Sequence, residues 1–416
     1  MPCFVSDGRQ LGNAEKEDLL KRFEDKGRAI LYQADTSAGP VIVGSNMPKV
    51  YDKDAALILD LGSNNLYLNN AGGTRPEIPV AMVINWGGGG GNNRYVTREN
   101  FSRGAALIGG GFLNDLGGHS KFVGLDGSQG AGFWGSGLLY CRGGNAVFQA
   151  RKTSQGVGQM GVRMLLGRDG NNSYSCLYEG QALGLFGGEG ILINEGGHNL
   201  YRLGGLQPDD RDPSKSTVSM GQGFGRGLMP EDERMAVPGG IGLLIDEKGE
   251  DTYIADYFAQ GSSYYYSISM LDNRGANNRF IAGRYAQGAG IHTSIGVLLN
   301  RGGGSSFYSS FGVSQGMGHD YGVGLLQSDR GLNDYHGGIL VQGAATRGGI
   351  GMLIDPDGQS RFNKGSENQD SFDKTDCMGI VVQPDVEEEK PGHSGKVVIY
   401  IKDMQSSMVK RWKRKK

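Results

Sequence analysis

The sequence predicts an all-β fold, a β-solenoid of about eleven coils with about 27 residues in each coil, a period within the range of known repeat architectures. Three observations predict it. Aromatic residues recur once in each period, a Gln-Gly pair often follows the aromatic after seven positions, and glycine supplies 75 of 416 residues. That glycine content, about 18%, far exceeds the roughly 7% of ordinary proteins. Self-similarity at a fixed period of this length is typical of stacked repeats.

The aromatic positions define the coils. In order, they are Tyr67, Tyr95, Phe122, Phe148, Tyr174, Tyr201, Tyr253, Phe280, Tyr308, Tyr335 and Phe362. Consecutive members lie one period apart, except that the interval from Tyr201 to Tyr253 is nearly twice as long. The Gln-Gly pair follows seven positions later at Gln129, Gln155, Gln260, Gln287, Gln315 and Gln342. We expect the rings to stack along the core, about 4.8 Å apart, in a rod of roughly 50 Å.

A polar residue two positions before the aromatic marks a turn. It is Asn or Asp in most coils, namely Asn65, Asn93, Asn172, Asn199, Asp251, Asn278 and Asn333, and Ser at Ser120, Ser306 and Ser360. A glycine usually lies two positions earlier, and both residue types suit the φ > 0 conformations of a tight corner. We expect the Asn side chains to hydrogen-bond to one another from coil to coil, and the Gln side chains to do the same, because buried amides need partners.

A short apolar run, such as Ile241–Asp246, precedes each turn and predicts a strand. Coils of this size resemble the right-handed parallel β-helix class over residues 50–365. The resemblance concerns architecture; it implies right-handed winding and no particular activity.

Caps are expected at both ends, because an open solenoid exposes unpaired strand edges. Residues 1–49 predict an N-terminal cap with a helix at 14–31, which carries an apolar stripe including Leu19, Leu20 and Phe23. Residues 366–416 predict C-terminal cap strands, at Met378–Val382 and Lys396–Lys402, and a basic tail. Capped ends disfavour end-to-end growth and favour lateral contacts.

The long interval from Tyr201 to Tyr253 predicts one coil that carries two inserted loops. The usual offset places the Gln-Gly pair at position 208, but it appears at Gln222-Gly223. Tyr253 then follows Gln222 much later than Phe280 follows Gln260. The loops are therefore placed at 205–218 and 228–238.

The two inserted loops are the first candidate for binding. Their acidic residues are Asp209, Asp210, Asp212, Glu231, Asp232 and Glu233. The loops are either tolerated surface insertions, a binding or metal site, or a catalytic site, since insertions in repeat proteins often lie on a binding face.

The basic C-terminal tail is the second candidate for binding. It contains Lys410, Arg411, Trp412, Lys413 and Arg414. It is either a solvated tail or a docking element for an anionic partner. The net charge of −2 provides no general attraction for nucleic acid, so no nucleic-acid partner is expected. No transmembrane segment is expected either, because no run of about 18 apolar residues occurs.

The sequence points to no catalytic residues, no metal ligands and no cofactor. Gly249–Ile254 resembles a calcium β-roll nonapeptide, but that family has a repeat of only nine positions. At the position where that nonapeptide has Asp, most coils of this chain have Asn, so calcium binding remains only an alternative. The histidines are interpreted as turn residues: His119 and His198 share a repeat position but lie three coils apart.

The leading hypothesis is a non-enzymatic structural or interaction protein that docks to protein partners, or to itself, in a larger assembly. One rival is a carbohydrate-binding or polysaccharide-cleaving β-helix with its site near residues 205–238. A second rival is a calcium-stabilised secreted solenoid. The cell envelope or secretion is expected if a leader has been removed, and the cytoplasm otherwise.

Overall fold

The computed structural model describes residues 29–87, 91–97, 99–210, 216–228, 236–356, 360–364, 378–384 and 397–403. Within these residues the chain is an all-β solenoid of about eleven coils built from stacked parallel strands. No helix in the described residues is long and apolar enough to cross a membrane. The expected helix extended to Leu31, but Ile30–Thr36 is already a strand, and residues 14–28 lie outside the described part.

Three sheets run along the rod. The first has 15 strands in the described residues: Ile30–Thr36, Gly39–Gly44, Leu57–Asp60, Val80–Asn85, Ala106–Asp115, Gly132–Cys141, Gly161–Gly167, Gly188–Asn194, Ile241–Asp246, Ile268–Asn273, Ile295–Asn300, Val323–Ser328, Ile350–Ile354, Met378–Pro384 and Val397–Asp403. The strands pair parallel except at the two ends, where the first and last strands pair antiparallel with their neighbours.

The second sheet also has 15 described strands and carries the aromatic positions: Val50–Tyr51, Leu66–Tyr67, Arg94–Val96, Lys121–Val123, Val147–Ser154, Ser173–Gly180, Leu200–Leu203, Gln207–Pro208, Thr217–Gly221, Thr252–Ile254, Tyr257–Ala259, Arg279–Ala286, Ser306–Ser314, Asp334–Ile339 and Arg361–Lys364. The third sheet has six described strands: Leu183–Gly184, Phe224–Arg226, Ser263–Tyr264, Gly290–Ile291, Gly318–His319 and Ala345–Thr346.

The core contains two apolar ladders that face each other. The aromatic ladder stacks ring on ring, with centroids 4.4–4.9 Å apart: Tyr51, Tyr67, Tyr95, Phe122, Phe148, Tyr174, Tyr201, Tyr253, Phe280, Phe307, Tyr335 and Phe362. The aliphatic ladder comes from the first sheet: Ile58, Val83, Leu113, Leu139, Leu165, Leu192, Leu244, Leu271, Leu298, Leu326 and Leu353, all fully buried. Stacking of equivalent residues thus buries an inner face that one coil alone would expose.

One assignment from the sequence was wrong. The ladder ring is Phe307, which lies 4.9 Å from Phe280, whereas Tyr308 is 49% exposed. The strand Ser306–Ser314 carries an extra residue, which a β-bulge absorbs, so Gln315 follows its aromatic by eight positions instead of seven. The constant offset of seven therefore selected the wrong one of two adjacent aromatics. Ser305, rather than Ser306, takes the turn position.

The Gln-Gly pair forms the corner between the second and third sheets. Gln260 and Gly261 both have left-handed backbones, with φ of 57° and 74°. A Cβ on Gly261 would lie 2.1 Å from the carbonyl oxygen of Val297, so only glycine fits. The Nε2 of Gln260 donates to the carbonyl oxygens of Tyr253 (3.3 Å) and, in the next coil, Ile281 (2.9 Å). The Gln ladder therefore binds backbone rather than other amides in most coils.

The Asn ladder also binds backbone. The Oδ1 of Asn199 accepts the N–H of Asn172 in the preceding coil at 2.9 Å. The Oδ1 of Asp251 accepts the N–H of Asn199 at 2.8 Å in the same way. Each side chain thus satisfies a buried N–H that the turn leaves outside the sheet ladder.

The long interval between Tyr201 and Tyr253 is a single coil. Tyr201 pairs directly with Tyr253, and Asn194 with Asp246, in adjacent strands of the second and first sheets. The two insertions flank two short strands, Thr217–Gly221 and Phe224–Arg226, which lie on different sheets. The sequence had indicated one strand between them; the corner at Gln222 divides it into two.

Candidate functional site

The first inserted loop begins as a short hairpin. Gln207–Pro208 pairs antiparallel with the start of Thr217–Gly221, and Asp209 N–H donates to the carbonyl oxygen of Ser216 at 3.1 Å. Asp256 holds the base, because its Oδ2 accepts the N–H and the hydroxyl of Thr217 at 3.0 and 2.5 Å. The loop is therefore anchored to the coil that follows it.

The structure describes only part of the predicted binding residues. Asp209 is buried at the hairpin and Asp210 is exposed. The other candidates lie outside the described residues: Asp212, Glu231, Asp232, Glu233, Lys410, Arg411, Trp412, Lys413 and Arg414. The second insertion is closed at its base by an antiparallel bridge between Leu228 and Val237.

The largest feature that the sequence analysis missed is the outward side of the first sheet, here called the outer face. Side chains of a strand alternate between its two sides. In Ile241–Asp246, Leu244 and Asp246 point inward and are fully buried, while Leu243 and Ile245 point outward and stay partly exposed. Both sides of this strand are therefore largely apolar.

The middle position of each strand forms a central column along the outer face. Its described members are apolar in every coil: Leu57, Met82, Phe112, Leu138, Met164, Ile191, Leu243, Met270, Val297, Leu325 and Met352. A flanking column starts each strand: Val80, Gly110, Ser136, Val162, Glu189, Ile241, Ile268, Ile295, Val323 and Ile350. It is apolar apart from Ser136 and Glu189, and Ile268 is 50% exposed.

A shallow depression interrupts the outer face where Gly110 and Ser136 replace larger residues of the flanking column. Its volume is about 470 Å³, and Met82, Phe112 and Leu138 line it. The outer face therefore has a concave apolar region at this point.

A second cluster lies at the corner between the third and first sheets, and His292, His319 and Asp320 form it. We call it the corner cluster. Its ligand-type atoms all lie within 4.8 Å of one another. Asp320 Oδ2 lies 2.8 Å from His292 Nδ1 and 3.3 Å from His319 Nε2. Burial lowers the pKa of both histidines, while the charge of Asp320 opposes that shift.

The spacing of the two histidines is a signal that the sequence analysis overlooked. His292 and His319 are separated by one coil period. The fold pairs Ile291 with His319, so Asp320 occupies the position equivalent to His292. Comparing histidines at a separation of one period, instead of three, would have located the cluster.

Several buried acids belong to the structural ladders. Burial raises the pKa of Asp115 to about 7, against hydrogen bonds from Ser120, the Gly117 N–H and Asn93. Burial, followed by the charge of Asp251, raises the pKa of Asp246, whose Oδ2 accepts the hydroxyl of Tyr201 at 2.6 Å. These carboxyls satisfy buried donors rather than face a substrate cleft.

Comparison with protein-family models, with curated proteins and with solved structures found no significant match for this chain.

Proposed function

We propose that this protein is a non-enzymatic structural or interaction protein, and that a second copy of the same chain packs against its outer face. The observation that carries the proposal is the central column, which is apolar in every described coil. Right-handed winding, the hand of almost all parallel β connections, is part of this proposal.

Strands with apolar residues on both sides are typical of sheets that are covered on both sides. The inner side of the first sheet is covered by the aromatic ladder, as the full burial of Leu244 and Leu271 demonstrates. The outer side has Ile241, Ile268 and Ile295 at 42–50% exposure. An apolar surface of this extent is usual at protein–protein interfaces and rare on free surfaces.

The dimensions of the outer face suit a dimer. Ten coils spaced about 4.8 Å apart, with strands of six residues at about 3.3 Å each, give roughly 900 Å² per chain. Two such faces bury about 1,800 Å² in total, within the range of stable protein–protein interfaces. A sheet with an apolar side packs face to face on a second sheet about 10 Å away, and a two-fold dimer places the same patch on both chains.

The ends of the rod favour side-by-side contact. The strand Ile30–Thr36 pairs antiparallel with Gly39–Gly44, and Val397–Asp403 pairs antiparallel with Met378–Pro384. The outermost strands of the described part of the chain thus both depart from the parallel register that a further coil would continue. Addition of a second rod at either end is disfavoured, whereas the outer face stays accessible from the side.

The test is the mass of the tag-free protein in solution, measured by light scattering after size exclusion. We expect two chains for the wild type and one chain for Leu243→Arg/Val297→Arg, which places charges in the central column. The matched control is Tyr308→Arg/Leu332→Arg, since both side chains are exposed but lie off the outer face. It should remain a dimer, and far-UV circular dichroism should show all three folded. A wild-type monomer, or a dimeric Leu243→Arg/Val297→Arg variant, would overturn the proposal.

The carbohydrate alternative is tested separately with a glycan array and a reducing-sugar assay. The proposal expects no binding or cleavage that depends on the first inserted loop. If the wild type cleaves a polysaccharide and Asp209→Asn/Asp210→Asn does not, the non-enzymatic assignment is wrong. If the wild type only binds a polysaccharide and the variant does not, the loop is a carbohydrate-binding site.

A further inference from the structure

We propose that the corner cluster, His292, His319 and Asp320, binds one divalent transition-metal ion such as Zn²⁺. Two imidazoles and one carboxylate are a ligand set that suits this class of ion. The inference is independent of the proposed function, because the cluster lies at a corner and not on the outer face.

The distances fit a shared ion. An ion with bonds of about 2.0–2.1 Å to nitrogen and oxygen places tetrahedral ligand atoms about 3.3 Å apart. Asp320 Oδ2 lies 3.3 Å from His319 Nε2 and 2.8 Å from His292 Nδ1. The ligand atoms of the three residues all lie within 4.8 Å of one another, so side-chain movements of at most about 1.5 Å bring them to the spacing of a shared ion.

The backbone of the corner fixes where these side chains start. His292 and Asp320 each adopt a left-handed conformation, with φ of 57° and 47°. His292 N–H donates to the carbonyl oxygen of His319 at 3.0 Å, which joins the two coils at this point. The ligands therefore come from two adjacent coils in a defined register, and binding requires no folding of a loop.

Neighbouring side chains orient the two imidazoles. His319 Nδ1 hydrogen-bonds Thr346 Oγ1, which leaves Nε2 directed at Asp320. The ring of Tyr265 stacks on His292 with a centroid distance of 4.8 Å and an interplanar angle of 16°. Metal-binding histidines commonly have such an outer partner on the second nitrogen, which sets the tautomer and the ring direction.

Arg284 and Arg347 both oppose a cation, since, after burial, their charges contribute to lowering the pKa of His319, and Arg347 is the one that pairs with Asp320. Its Nη1 lies 3.7 Å from Asp320 Oδ1, on the carboxylate oxygen that does not face the histidines. Its side chain is 59% exposed, so it is able to turn into solvent when the ion binds. Removing the positive charge of Arg347 should tighten metal binding. If the corner cluster is held together only by ion pairs, the same change should instead destabilise it.

The experiment is a titration of tag-free protein with Zn²⁺ by calorimetry and with Co²⁺ by visible absorption. We expect one ion per chain and a Co²⁺ ligand-field band. Affinity should fall at least about 100-fold in His292→Ala and in His319→Ala, and about tenfold in Thr346→Val. His198→Ala, which removes a histidine from another corner, is the control and should bind as the wild type does.

Arg347→Gln separates metal binding from a structural ion pair. The proposal expects several-fold tighter binding in Arg347→Gln, together with an unchanged melting temperature without metal. The proposal is overturned if the wild type binds no Zn²⁺ or Co²⁺. It is equally overturned if His292→Ala and His319→Ala bind as tightly as His198→Ala.

Discussion

The side-chain Nε2 of Gln222 donates to the carbonyl oxygen of Tyr201 at 3.2 Å, although 21 residues separate them instead of seven. The same Nε2 also reaches the carbonyl oxygen of Ile254 in the next coil at 3.1 Å. The corner contact that defines the repeat is thus retained in spite of the first inserted loop, because the chain leaves the coil and returns to it at the same place. The repeat is specified by these corner contacts more than by uniform spacing.

Removal of residues 205–218 should therefore leave the fold intact. The deletion restores the usual offset between Tyr201 and Gln222 and keeps Gly221 beside Gly180. We expect the melting temperature, followed by circular dichroism, to change by only a few degrees. The matched control deletes residues 205–219 and so leaves one residue too few, a change that a β-bulge cannot absorb in the way that it absorbs the extra residue of Ser306–Ser314. It should be clearly less stable, because a slip of one residue reverses the two sides of a strand. Equal stability of the two deletions would show that the corner register does not matter.

The bulged coil gives a direct test of the aromatic ladder. Phe307→Ala removes a buried ring from the stack and should lower the free energy of unfolding by about 3–5 kcal/mol. Tyr308→Ala should cost less than about 1 kcal/mol, because its side chain is 49% exposed. Urea unfolding followed by circular dichroism measures both. If Tyr308→Ala lowered the free energy of unfolding more than Phe307→Ala did, Tyr308 would be the core residue.

Asp115 should make stability depend on pH. Its folded pKa of about 7 lies above the unfolded value of about 3.9, so ionisation opposes folding. Its contribution is constant below about pH 4, falls as pH rises from about 4 to 7, and totals up to about 4 kcal/mol. Asp115→Asn should therefore gain stability over wild type across this window, measured by urea unfolding at several pH values. Asp210→Asn, at an exposed position, is the control, and parallel pH profiles for wild type and Asp115→Asn would refute the assignment.

A buried ion pair closes the N-terminal end of the core. Lys49 Nζ lies 2.8 Å from Asp60 Oδ1, and both side chains are at most 2% exposed. Lys49→Met leaves the carboxylate without its charged partner and should cost about 3–5 kcal/mol in unfolding free energy. The double variant Lys49→Met/Asp60→Asn should recover most of that loss. If the double variant is as unstable as the single one, the cost comes from lost packing and not from the unpaired charge.

The period, the aromatic ladder and the single long coil could be predicted from the sequence because stacking repeats the same residue types at equivalent positions. The third sheet could not be predicted from the sequence, because Ser263–Tyr264 and its equivalents are very short strands that carry no alternating pattern. Phe307 and Tyr308 could not be told apart, because a bulge changes the offset without changing composition.

The candidate sites were harder to predict from the sequence than the fold. The outer face was missed because the apolar run of Ile241–Asp246 was read only as a strand, although alternation places Leu243 and Leu244 on opposite sides. The corner cluster depends on which histidines meet across coils, and the one-coil spacing of His292 and His319 was the available signal. The two inserted loops were predicted as a candidate binding site because they interrupt the repeat.

The most direct test of the proposed function is small-angle X-ray scattering of the tag-free wild-type protein. Packing through the outer face predicts the mass of two chains with a maximum dimension close to that of one rod, since the rods lie side by side. A mass of one chain would contradict the account, as would a mass of two chains with a doubled maximum dimension, which indicates end-to-end contact.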